Sequence, residues 1–117
     1  MTQSNSTLQY HIKMSSGDIG RYVLLPGDPG RVPLIASFLD NAQLVAENRE
    51  HRTYTGSVEG TQVSVTSTGI GGPSTAIAVE ELAKLGADTF IRVGTSGMMQ
   101  DFINPGNLIV VSGAVRD

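Results

Sequence analysis

Short apolar runs alternate with glycine-rich breaks along the chain, and the period of the runs changes from one stretch to the next. Arg21 to Leu25 is a bare apolar run closed by Pro26-Gly27-Asp28-Pro29-Gly30, the pattern of a buried strand entering a tight turn. Val32, Ile35, Ala36 and Leu39 then fall at helical spacing and lay one apolar stripe on a short helix. Gln43 to Ala46 reads as a further strand. Thr53 to Val58 and Gln62 to Ser67 flank Glu59-Gly60-Thr61, which predicts a hairpin with a glycine turn. After Thr68-Gly69-Ile70-Gly71-Gly72-Pro73-Ser74 a helix is expected to run to Leu85. Pro73 suits its first turn and Gly86 its C-terminal cap. Thr89 to Val93 is a strand ended by Gly94-Thr95-Ser96-Gly97, and Leu108 to Val115 is the last strand. Residues 1–20 read as a polar arm ahead of an α/β core.

This order predicts an α/β fold, a mixed central β-sheet flanked by helices. In such sheets ligands bind beyond the carboxyl ends of the strands. Two glycine-rich turns, at Gly27 and Gly94, directly follow apolar strands and are the places to look for chemistry. The chain closes on NLIVVSGAVRD, with no capping helix or polar tail after the last apolar run. Domains usually end at a satisfied surface edge, so the 117 residues read as one domain cut short.

Composition narrows the classes. A hydrophobic content of 39% can build a core. A net charge of -3 with 16% charged residues lacks the basic face of a nonspecific nucleic-acid binder. No cysteine means no disulfide framework, thiol nucleophile or cysteine-based zinc site, and fits a cytoplasmic location. The polar start is not a signal peptide, and no segment approaches the roughly 18–20 apolar residues of a membrane span. Asn5-Ser6-Thr7 is a glycosylation pattern only by chance if the chain is not secreted.

Gly27-Asp28-Pro29-Gly30-Arg31 is either a tight turn with a solvated Arg or a phosphate cradle. Glycine lets a backbone N–H approach an anion, and Arg31 opens the following helix. Arg92 lies inside an apolar strand, where a charge must be paired. Its partner is a core carboxylate or a bound anion, the latter helped by the hydroxyls of Thr95 and Ser96. Taken alone, Asn48-Arg49-Glu50-His51-Arg52 is a solvated turn, and His11 and His51 are surface histidines. Glu80 and Lys84 form an i, i+4 pair, so Glu80 and Glu81 read as surface charges. No residue cluster has zinc spacing. No serine has nucleophile-elbow flanks, and the glycines spell neither a dinucleotide fingerprint nor a P-loop.

In combination these segments are far more specific. PGDPGR at 26–31, NRE at 48–50, STGIGGPSTAIAVEELAKLGADTFIRVGTSG at 67–97 and the closing NLIVVSGAVRD resemble the nucleoside phosphorylases of the uridine phosphorylase branch. The resemblance implies a three-layer α/β fold, of which residues 1–117 would be the N-terminal part of one domain. It implies phosphorolysis, in which phosphate attacks the anomeric carbon of a nucleoside to give a free base and ribose 1-phosphate. By position, Gly27, Arg31, Arg92 and Thr95 match the phosphate-binding set, with Arg92 and Thr95 closest to the chemistry. Arg49 matches the phosphate-binding Arg lent by a neighbouring subunit, and His11 the lent His that contacts the ribose 5′-hydroxyl. Thr95 also touches the ribose, and Ser96 and Gly97 lie where the family's loop nears the base. A monovalent cation at the dimer interface would match Glu50, Ile70 (through its carbonyl) and Ser74. The reaction needs no other cofactor. The implied partners are nucleoside, phosphate and further copies of the chain, as dimers assembled into a trimer of dimers, without nucleic acid or membrane.

The resemblance covers only the N-terminal half of the family. The Gln/Arg pair that reads a pyrimidine edge and the Glu-Met-Glu segment that holds the ribose hydroxyls are not in this sequence. The purine branch more often carries Cys where this chain has Ser96. A purine nucleoside phosphorylase, and a phosphate-binding or interface fragment without activity, are therefore the rival readings. A nucleosidase fits less well, because a hydrolase has little use for Arg31, Arg49 and Arg92 together.

Overall fold

β1 (Tyr22–Leu25) lies inside a five-stranded sheet although it comes first in the chain. The computed structural model describes residues 8–116. After β1 come a 3-10 turn at Pro29–Arg31, α1 (Val32–Ala36), β2 (Asp40–Asn48), β3 (His51–Val58), β4 (Thr61–Thr66), α2 (Gly72–Lys84) and β5 (Thr89–Arg92). The sheet order is β2-β3-β4-β1-β5. β1 runs parallel to both β4 and β5, while β2-β3 and β3-β4 are antiparallel hairpins. The sheet is therefore mixed, and the carboxyl ends of β1, β4 and β5 share one edge of the molecule.

Strand alternation sends neighbouring residues to opposite faces. Val23 and Leu25 of β1 pack with Leu82 of α2 and with Ile12, Met14, Ile19 and Ala87. Leu24 joins the other cluster, where Val65 of β4 packs with Val32 and Ala36 of α1. One helix thus covers each face, which gives the expected three layers. Fully burying a side chain of the Leu or Ile class is worth about 1.5–3 kcal/mol, so these few residues carry most of the packing energy. Beside the α2 face the sheet is polar but satisfied. Thr53 meets Thr66 and Thr55 meets Ser64, each oxygen pair at 2.8 Å, and Gly20 N–H donates to Ser64 Oγ at 3.1 Å.

Three expectations are corrected. Residues 8–20 are more than a polar arm ahead of the core, because Ile12, Met14 and Ile19 are buried in the cluster with Leu82 of α2 (Asn5-Ser6-Thr7 lies outside the described residues). Their spacing is irregular and their neighbours polar, so periodicity hides them. β2 is longer than Gln43 to Ala46, since antiparallel pairing with β3 extends it across polar positions and register shifts. Leu108 to Val115 forms no strand: Leu108 is 94% exposed and Val110 89%. An apolar run needs a paired neighbour to become a strand, and among the described residues this one has none.

Candidate functional site

Backbone hydrogen bonds gather the loops that leave the three parallel strands. Thr68 N–H donates to the Pro26 carbonyl and Gly69 N–H to that of Gly27, both at 2.9 Å. Val93 N–H donates to the Leu25 carbonyl at 3.1 Å. The β2-β3 turn at Arg49-Glu50 reaches the same edge, because β3 is antiparallel to β4. There Ser67 Oγ donates to the Glu50 carbonyl at 2.6 Å and accepts from Arg52 N–H at 2.9 Å. The segments around Gly27, Glu50, Gly69 and Gly94 thus form one continuous rim, as the rule for parallel strands anticipates.

Arg92 ends β5 on this rim. Its Nη1 donates to the carbonyls of Leu25 at 3.2 Å and Val93 at 2.8 Å, and no carboxylate of the described residues pairs with it. A core carboxylate is therefore not its partner. The guanidinium lies over Gly27, where a Cβ would come within 3.3 Å of Nη2. Glycine here lets the guanidinium lie close against the backbone, and Arg92, exposed rather than buried in its strand, keeps its charge free of any carboxylate and open to an anion. Thr95, Ser96 and Gly97 follow in an exposed segment that lines, with Arg92, Asn104 and Leu108, an open cleft of about 480 Å³.

The remaining predicted residues sit around this centre. Arg31 closes the 3-10 turn just before α1 and is half-buried. Within that turn Asp28 accepts from Gly30 N–H at 2.9 Å, so this amide is already satisfied by the protein. Arg49 is exposed and holds a left-handed backbone, φ 53°. His11 is turned to its own chain: Nδ1 lies 2.5 Å from Glu81 Oε2.

Glu50 and Ser74 come together in space. Ser74 Oγ lies 2.7 Å from Glu50 Oε2 and also approaches the Thr68 carbonyl. One hydroxyl proton serves two acceptors, which leaves a cluster of oxygen donors suited to a hard cation of low charge. The hydrogen bond from Ser74, then Glu50's own backbone N–H, holds the Glu50 carboxyl below its ordinary value. Ile70 is 99% exposed at the tip of the same loop. Among the described residues no group of His, Cys, Asp and Glu has metal-site geometry.

Sequence reasoning missed other contributors. His51 is buried, with Nδ1 3.0 Å from the Ser67 carbonyl, and fixes the turn that carries Glu50. Glu81 is 9% exposed and takes hydrogen bonds from the N–H groups of His11 and Ile12. Its position beside Leu82, on a helix that buries Ala78, was the available signal. Thr68 and Gly69 follow β4 as Gly27 follows β1, which would have marked a third strand-end loop.

The chain belongs to the phosphorylase superfamily, whose family model matches residues 21–117. It is 60% identical over 114 residues to a uridine phosphorylase of Thermococcus kodakarensis, covering 97% of this chain and 41% of that protein. It is 57% identical over 108 residues to a uridine phosphorylase of Treponema pallidum, covering 92% and 42%. A guanosine phosphorylase of Halorubrum lacusprofundi is 45% identical over 109 residues, covering 93% and 45%. The fold matches the crystal structure of uridine phosphorylase from Vibrio fischeri with a TM-score of 0.80 at 47% identity, over 84% of this chain and 41% of that one. The chain thus spans about two fifths of the length of these relatives. No helix among the described residues is long and apolar enough to cross a membrane.

Proposed function

We propose that this chain supplies the phosphate-binding half of a uridine phosphorylase, which cleaves uridine with phosphate to uracil and ribose 1-phosphate in pyrimidine nucleoside salvage. The observation that carries this reading is Arg92 held over Gly27 with carbonyl partners only, in a chain 60% identical to a uridine phosphorylase. Phosphate docks between the Gly27 backbone and the guanidinia of Arg31 and Arg92, with Thr95 donating its hydroxyl. Arg49 closes the shell from a neighbouring subunit. The phosphate then lies beneath the ribose, where its negative charge stabilises the oxocarbenium-like transition state as the glycosidic bond breaks. A phosphate oxygen forms the new bond to the anomeric carbon, and the electron pair of the old bond leaves with the base. Thr95 also fixes the ribose, His11 of the neighbour holds its 5′-hydroxyl, and Ser96 and Gly97 flank the base. Glu50, Ser74 and the Ile70 carbonyl would hold a monovalent cation that screens the Glu50 charge where subunits meet. No other cofactor takes part. The assembly is a homo-oligomer of dimers in the cytoplasm.

The 45% identity to a guanosine phosphorylase supports a second reading, with the same phosphate site beneath a purine nucleoside. The test is to assay uridine and guanosine, with and without phosphate, using this chain and a chain extended past Asp117 to the length of its relatives. The extended chain is expected to consume uridine only when phosphate is present, and the 117-residue chain to be inactive. Equal turnover by the two chains would refute the half-site reading, and inactivity of the extended chain toward both nucleosides would refute the enzyme reading. Arg92→Ala in the extended chain is expected to lower phosphate-dependent turnover roughly a hundredfold with little effect on nucleoside binding.

A further inference from the structure

Glu81 makes three contacts to one short segment. Its Oε1 accepts from His11 N–H at 2.9 Å and Ile12 N–H at 3.1 Å, while Oε2 faces His11 Nδ1 at 2.5 Å. The His11 side chain keeps 32% of its exposure and that of Glu81 only 11%, so the carboxylate is the buried anchor and the ring the offered group. Tyr10 packs edge-on against the ring, centroids 4.9 Å apart, and Asn48 Nδ2 grips the His11 carbonyl at 2.8 Å. Nδ1 is engaged, whereas Nε2 has no hydrogen-bond partner among the described residues. A buried carboxylate that fixes one ring nitrogen sets both the direction of the imidazole and the tautomer of its free nitrogen.

We propose that Glu81 is a positioning residue for His11, locking the ring so that Nε2 projects outward to the ribose 5′-hydroxyl in a neighbouring subunit's site. This rests on the role of His11 under Proposed function. Asn48 joins the same clamp to the turn carrying Arg49, so the two residues offered to the neighbour are held from one framework.

The test uses the chain extended to the length of its relatives and compares uridine with 5′-deoxyuridine, which lacks the hydroxyl His11 would hold. His11→Ala is expected to reduce the kcat/KM preference for uridine over 5′-deoxyuridine by about tenfold, the worth of one good hydrogen bond. Glu81→Ala is expected to reduce it almost as far, with 5′-deoxyuridine turnover nearly unchanged. Glu81→Gln keeps an oxygen for the two N–H groups and the direction of the ring, but its NH2 donates to Nδ1 and leaves the proton on Nε2; because the 5′-hydroxyl can both accept and donate, most of the preference should return. Hydrogen–deuterium exchange over residues 8–16 should quicken in Glu81→Ala and stay near parental in Glu81→Gln. If His11→Ala leaves the preference unchanged, the assigned role of His11 fails. If His11→Ala lowers it and Glu81→Ala does not, the positioning role of Glu81 fails. Equal loss on both substrates in Glu81→Ala would mark Glu81 as merely structural and also overturn the proposal.

Discussion

Individual side chains on the rim carry large consequences because they are held by few partners. Gly69 has φ 75°, and a Cβ there would meet Glu50 Cγ at 2.5 Å and Ser74 Oγ at 2.8 Å. Gly69→Ala is therefore expected to destabilise the chain by about 1–2 kcal/mol from backbone strain alone and to part Glu50 from Ser74. Urea unfolding checks the first effect and a crystal structure the second. Glu81 gives a pH signature. Burial pushes its carboxyl up, but hydrogen bonds from the His11 ring and from the Ile12 and His11 N–H groups outweigh this and hold it below its ordinary 4.5. The fold thus favours the ionised form, so its stabilising effect is complete above the ordinary value and is lost as pH falls through the lowered one. The stability gap between parent and Glu81→Gln should narrow as urea titrations move from about pH 6 toward about pH 3. A gap that stayed constant would mean that Glu81 is not ionised in the fold. His51 was illegible in the sequence, because a lone polar residue among polar neighbours looks solvated and only the contact with Ser67 reveals its burial. Glu81 left a fainter trace in its place beside Leu82, which the i, i+4 pair of Glu80 and Lys84 next to it masked as a solvated face.

Secondary elements were legible wherever local chemistry set their ends. Pro73 and Gly86 bracket α2 as read, with Gly86 at φ 106° just past the helix. The β3-β4 turn is also as read, and Glu59 and Gly60 both take positive φ, 50° and 82°. The Leu108 to Val115 run misled because its apolar pattern is a strand's while the ladder partner is what makes a strand. The strand-end loops at Gly27 and Gly94 could be read as sites, whereas the 67–69 loop could not be joined to them without the parallel pairing of β1 with β4. Two changes probe the elements. Leu82→Ala, at the centre of the α2 cluster, is expected to lose about 2–5 kcal/mol in denaturant unfolding. Gly20→Ala would place its Cβ 2.4 Å from the Gln62 carbonyl oxygen, so the approach to β1 must shift, at about 1–3 kcal/mol by the same measurement.

At the scale of the whole molecule, β5 pairs on one side only among the described residues, and Ile91 is 57% exposed on it. Leu108, Val110 and Val115 are also exposed, so large apolar side chains stand bare both on β5 and along the C-terminal segment, and exposed apolar groups of this kind favour association. The 117-residue chain is expected to self-associate, seen as concentration-dependent light scattering and dye binding. Val110→Lys together with Leu108→Lys should reduce both, and a monodisperse parent would contradict the expectation. The interior place of β1 also bears on how the chain comes into being. β1 emerges from the ribosome before either of its neighbours exists, and its register partners Val63 and Thr89 follow only much later. The β2-β3-β4 meander can form from local contacts in the meantime, but closing β1 between β4 and β5 demands two long loops. A nascent chain paused before Thr89 would present an apolar strand with one flank open, the state in which chaperones, or stray strands from other chains, compete for it.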